Sequence, residues 1–116
     1  MQEFQAQAIS QMGEGTRDYN RGVLHALGHG ALYDDWYSAC IGLELALSTR
    51  DEAERAATGG LDLDGWEYPE IHPAIHEAVK VQSDRRRAAW APIQQLKDEA
   101  QALLDRLDPM GMRQAV

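Results

Sequence analysis

A seam of ten positions runs through the last third of this chain: Ile75, Val79, Gln82, Arg86, Ala89, Ile93, Leu96, Ala100, Leu103 and Leu107. The steps alternate four and three residues without a slip, so all of them fall on one stripe of an α-helix. Gln82 and Arg86 make two of the positions polar, and Pro92 stands in the middle. Such a stripe is built to pack against other helices, of this chain or of a second one.

A straight helix from Pro73, well placed as its first residue, to Leu107 would span about 50 Å at about 1.5 Å per residue. A compact domain of this size has a radius of gyration of only about 13 Å. The helix must therefore protrude, bend or split. Pro92 removes a backbone hydrogen bond and crowds the carbonyl of Ala88, at a cost of about 3 kcal/mol. It also pushes Ala91 away from helical geometry. Burial of Ile93, Leu96, Leu103 and Leu107 returns roughly 1.5–3 kcal/mol each, enough to outweigh the proline. The sequence thus predicts a long C-terminal helix kinked or broken near Pro92. Its second half is apolar enough for a packing or dimer surface, while Gln82 and Arg86 turn the first half toward solvent or a charged partner.

The rest of the chain reads as helical too. Apolar residues make up 44% of it, yet Phe occurs once and Ile, Val and Thr are few beside Ala, Leu, Gln, Glu and Arg. That balance favours helix over strand and predicts an all-α single domain over 1–116. Residues 2–12 form a short amphipathic segment through Phe4, Ala8 and Met12, broken by Gly13-Glu14-Gly15, and 1–15 should fray unless a partner holds it. Thr16 is placed to cap a helix with Tyr19, Val23, Ala26 and Leu27 inward, ended by a C-cap in Gly28 to Gly30.

Asp34 or Asp35 then caps a helix from Trp36 to Leu47. In it Trp36, Cys40, Leu43 and Leu47 form one stripe that Tyr37, Ile41 and Leu45 widen, marking the centre of the core. Thr49 to Glu52 fits a capping box for a further short helix that Gly59-Gly60 ends. Leu61 to Ile71 reads as an irregular connection pinned by Trp66 and Tyr68.

Charge and motifs narrow the function classes. A net charge of −8 repels nucleic-acid phosphates and anionic membranes, which argues against direct DNA or membrane binding. Cys40 is the only cysteine, so no intrachain disulfide can form. The first residues lack the basic region and apolar run of a signal peptide, and no stretch approaches a membrane span, so a cytoplasmic protein is expected.

His25/His29 and His72/His76 have zinc-site spacing on a helix, but His29 lies between glycines and His72 precedes Pro73. Ordinary capping or surface histidines are the expectation, with no metal and no cofactor. Asp62, Asp64, Glu67 and Glu70 lack the array of a calcium loop. No phosphate loop or nucleophile elbow occurs, so no enzyme is expected.

Candidate interface residues are therefore aromatic and seam positions. Trp36 and Tyr37 are adjacent and diverge by about 100° on a helix, so both cannot enter one core contact. With Trp90 and Arg86 they are candidates for a partner or dimer surface. Ile93, Leu96, Leu103 and Leu107 complete the set.

The stretch from Tyr19-Asn20-Arg21-Gly22 to Asp35-Trp36-Tyr37-Ser38-Ala39-Cys40-Ile41-Gly42-Leu43-Glu44 resembles small helical regulators of Pseudomonas, the quorum-sensing antiactivators of the QslA type. The likeness in length, acidity and helical layout extends over about residues 16 to 107. It implies an all-helical homodimer without enzymatic activity. Such a protein would bind the ligand-binding domain of a LuxR-type transcription factor (LasR-like), block its dimerisation and so prevent DNA binding. Two other classes are open on the residues: a His-based metal-binding protein, and a phage-type acidic inhibitor of a nucleic-acid-binding defence complex.

Overall fold

Four helices follow one another in the computed structural model, which describes residues 1–58 and 73–108: α1 (Glu3–Ser10), α2 (Arg17–Ala26), α3 (Gly30–Thr58) and α4 (Pro73–Leu107). Among the described residues 87% are helical and no strand forms, so the chain is all-α with a long C-terminal helix. The expectations for Leu61 to Ile71, with Trp66, Tyr68, the acidic cluster and His72, lie outside the described residues. No helix among the described residues is long and apolar enough to cross a membrane.

The chain divides into two compact units, one taking in the residues up to Tyr37 and from Ala89 on, the other Ser38–Ala88. In the first, the short N-terminal segment is held in place. Gln5 accepts a hydrogen bond from the Gln2 N–H at 2.8 Å and so steadies the start of α1. Ala6, Ile9 and Met12 are buried, whereas Phe4 is 64% exposed and Ala8 only half-buried. The inward stripe is therefore not the expected Phe4–Ala8–Met12 set. The holding partner is α2, whose Tyr19 hydroxyl donates to the Ala8 carbonyl at 2.8 Å.

The junction between α1 and α2 is built on Asn20, which is fully buried. Its Nδ2 donates to the Gly13 carbonyl at 2.7 Å, and its Oδ1 lies 3.3 Å from the Gly13 N–H and 3.0 Å from the Thr16 hydroxyl. Thr16 is the N-cap residue of α2 without making a side-chain cap bond. Its hydroxyl serves the Gly13 turn instead, accepting the Gly13 N–H at 3.1 Å.

This polar clamp turns α2 so that Asn20 and Leu24 face inward. Tyr19 is 39% exposed and Ala26 is exposed, while Val23 and Leu27 are half-buried, so the buried face sits one residue away from the expected one. The C-cap expectation is met by a Schellman motif. Gly28 has φ 84°, its N–H reaches the His25 carbonyl at 3.3 Å, and the His29 N–H reaches Leu24 at 2.7 Å.

α3 begins at Gly30, so Asp34 and Asp35 lie inside a helix and cap nothing. Tyr33 and Trp36, three residues apart, are both buried, and packing of that shared face draws the helix back beyond the aspartates. Nor does α3 stop at Leu47. The Thr49 hydroxyl donates back to the Leu45 carbonyl at 2.9 Å, a bond made inside a helix, so the expected capping box does not form and the helix runs on to Thr58. Trp36, Cys40 and Leu43 are buried along it, as their spacing predicted, with Ala39 beside them.

α4 passes through Pro92 without interruption, so the alternative of two separate helices does not occur. Ile93 and Ala100 are fully buried, and of the ten seam positions only Leu107 is exposed. The polar seam residue Gln82 is not turned to solvent. Within the second unit it lies against Gly42 of α3, where any Cβ would collide with its side-chain amide. Its Oε1 is buried with no hydrogen-bond partner among the described residues.

An unbranched apolar chain of the same length would remove that unmet acceptor. Gln82→Met is thus expected to raise stability by about 1 kcal/mol, read as a higher urea midpoint at unchanged slope.

Candidate functional site: an arginine and tyrosine cleft on α2 and α3

The sequence supplies α2 with Arg17, Arg21 and His25 at four-residue intervals, and α3 with Tyr33 and Tyr37 at the same interval. Each set shares one helix face. The Schellman turn at Gly28 joins the two helices over three residues, and the two faces meet where the His25 ring contacts Tyr33. Arg17, Asp18, Arg21, Gly22, His25, Tyr33, Asp34 and Tyr37 then line an open cleft of about 920 Å³.

Its walls are ordered by aromatic contacts and a hydrogen bond. Tyr33 and Tyr37 stack with centroids 5.7 Å apart and planes 17° from parallel. The His25 ring meets Tyr33 edge-on at 5.9 Å, and its Nε2 lies 3.2 Å from Asp34 Oδ1. Gly30 makes this placement possible. A Cβ there would come within 2.6 Å of His25 Nδ1, so a side chain at position 30 would push the imidazole away.

Tyr33 is buried, while Tyr37 is 43% exposed and forms the outer face of the stack. Burial, reinforced by Tyr37 and Asp18 and opposed by Arg21 and Arg17, holds the Tyr33 hydroxyl above its usual pKa of 10.0. At neutral pH the cleft thus presents a phenol and not a phenolate. The arrangement offers recognition chemistry: a guanidinium fork, stacked rings and a phenolic donor.

The residues singled out from the sequence separate into buried and accessible groups. Trp36 (1% exposed) and Ile93 (0%) were read as interface positions, but they belong to the core of their own unit and have no surface to offer a partner. The reason is packing: Trp36 meets Tyr33 at 6.0 Å and Trp90 at 5.1 Å. Trp90 is half-buried, with its indole N–H donating to Gln94 at 3.2 Å. Leu96 and Leu103 are also half-buried, and Leu107 is 45% exposed. Arg86 is half-buried, and the ion pair of its neighbourhood is made by Arg87 with Asp84 at 3.3 Å.

Of the residues expected at an interface, Tyr37 alone lines the cleft; Arg17, Arg21, Tyr33 and Asp34 were not foreseen. The signal was the four-residue spacing on each helix. It was hidden by starting α3 at Trp36, which left Tyr33 outside the helix. Among the described residues no three His, Cys, Asp or Glu side chains converge as a metal site would need. No family model, no curated protein and no solved structure matches this chain.

Proposed function

We propose that this chain is a non-enzymatic regulator that acts by binding another protein. Its target in this reading is the ligand-binding domain of a LuxR-type transcription factor (LasR-like), whose dimerisation and DNA binding it blocks. The observation that carries the protein-binding reading is Tyr37. It is a large amphipathic ring left 43% exposed at a cleft mouth and stiffened by its stack on Tyr33.

A ring held this way loses little conformational entropy on binding, and tyrosine is enriched among residues that dominate interface energies. The choice of target rests on the likeness of residues 16 to 107 to the antiactivators. In the same reading the chain is a cytoplasmic homodimer, joined through the apolar end of the seam at Leu103 and Leu107.

The test is to mix the purified chain with a LuxR-type ligand-binding domain, measure complex mass by light scattering, and follow operator binding by the full-length factor. A complex containing one copy of the factor, with loss of operator binding, is expected. Unchanged dimerisation and operator binding at micromolar concentrations would overturn the reading. Leu103→Glu is expected to dissociate the homodimer, since a carboxylate cannot be buried in an apolar seam without a partner.

A further inference from the structure

We infer that the α2–α3 cleft takes an acidic segment of a protein partner, one carboxylate lying in the Arg21 guanidinium and a neighbouring apolar or aromatic side chain lying on Tyr37. The inference deepens the protein-binding reading and rests on it, but does not depend on which protein the partner is.

Charge complementarity selects the occupant. The chain as a whole carries −8, and most of its surface would repel an acidic peptide. In the cleft the guanidiniums of Arg17 and Arg21 offset the carboxylates of Asp18 and Asp34, so the repulsion is relieved locally. The Asp34 carboxylate already has a hydrogen-bond partner in the His25 ring, at 3.2 Å. Asp18 lies in the first turn of α2, where the helix dipole compensates a negative charge. Arg21 is exposed and makes no hydrogen bond or ion pair among the described residues.

A guanidinium binds a carboxylate by two parallel hydrogen bonds, which gives orientation as well as attraction. The exposed face of Tyr37 lines the same cleft, so a segment anchored on Arg21 can cover the ring with an adjacent side chain. Nucleic acid is the poorer occupant of an arginine and tyrosine site here, because its dense phosphate charge would meet the acidic remainder of the chain.

The experiment pans a display library of random sixteen-residue peptides on the full-length protein, then measures the enriched peptides by fluorescence anisotropy. Enriched peptides are expected to carry Asp or Glu within four residues of an aromatic or large apolar residue. Arg21→Glu should weaken them at least tenfold, Tyr37→Ala about as much, and Val81→Ser, a change at an exposed position on α4, not at all. Both cleft positions are exposed, and circular dichroism with thermal melting confirms that the variants fold.

A consensus without acidic residues, acidic peptides indifferent to Arg21→Glu, or no enrichment at all would overturn the inference. The two readings fail separately. If Arg21→Glu still blocks the transcription factor as the unaltered chain does, the cleft is not the contact and the regulatory reading stands. If the unaltered chain leaves the factor dimeric while its acidic peptides depend on Arg21, the choice of target fails and the cleft stands.

Discussion

Trp36→Ala is expected to cost about 3–5 kcal/mol of folding stability, the range for deleting a buried aromatic side chain. Trp36 is 1% exposed and lies against Trp90 at 5.1 Å and Tyr33 at 6.0 Å. Its loss opens a cavity that two rigid rings on either side cannot fill. Domains of this size have only about 5–15 kcal/mol in hand, so the variant should approach the unfolding threshold at physiological temperature.

Trp36→Phe separates the two contributions. Phe keeps a ring in place and removes an indole N–H that is buried without a hydrogen-bond partner among the described residues. Its cost should be less than half that of alanine. Urea unfolding followed by circular dichroism reads both. A loss below about 1 kcal/mol for Trp36→Ala would mean that the tryptophan is not the packing centre.

Asn20→Ala should be the next most damaging single change, at about 2–3 kcal/mol. The side chain is fully buried and bonded to both the carbonyl and the N–H of Gly13 as well as to Thr16. Each bond contributes about 0.5–1.5 kcal/mol net, and truncation adds the penalty of groups left without a partner. The consequence is local as well as global, because this clamp joins α1 to α2. Limited proteolysis should therefore show faster cleavage near Gly13 to Gly15 in Asn20→Ala than in Tyr19→Phe, which removes only the bond to Ala8. Equal cleavage rates would show that α1 is held by Ile9 and Met12 without the polar clamp.

The same residues explain how far the sequence could be read. Asn20 was invisible as a core residue because polar side chains are rarely fully buried, and only the Gly13 turn coming back onto it supplies its partners. That one clamp shifts the inward face of α2 by a residue, which brings Leu24 in and leaves Tyr19 and Ala26 out. Gln82 was legible as a break in the seam, but its burial against Gly42 depends on two positions forty residues apart. Capping signals misled in the other direction: Asp34, Asp35 and Thr49 are good N-caps in isolation, yet all lie within one helix. At Asp34 and Asp35 a local preference of about 1 kcal/mol loses to the packing of Tyr33 and Trp36, whereas the Thr49 hydroxyl is satisfied within the helix by the Leu45 carbonyl.

The seam from Ile75 to Leu107 was legible from spacing, because a repeat of three and four residues fits one helix face whatever packs on it. The helical class, the glycine stop at Gly28 and the divergence of Trp36 from Tyr37 follow from equally local rules. Tertiary contacts decided which of the two aromatic residues was buried, that α3 began before Asp34 and Asp35, and that Arg21 and Tyr37 face one cleft. The physical reason is range: backbone geometry and periodicity act over a few residues, whereas burial and the meeting of helix faces depend on groups that only folding brings together.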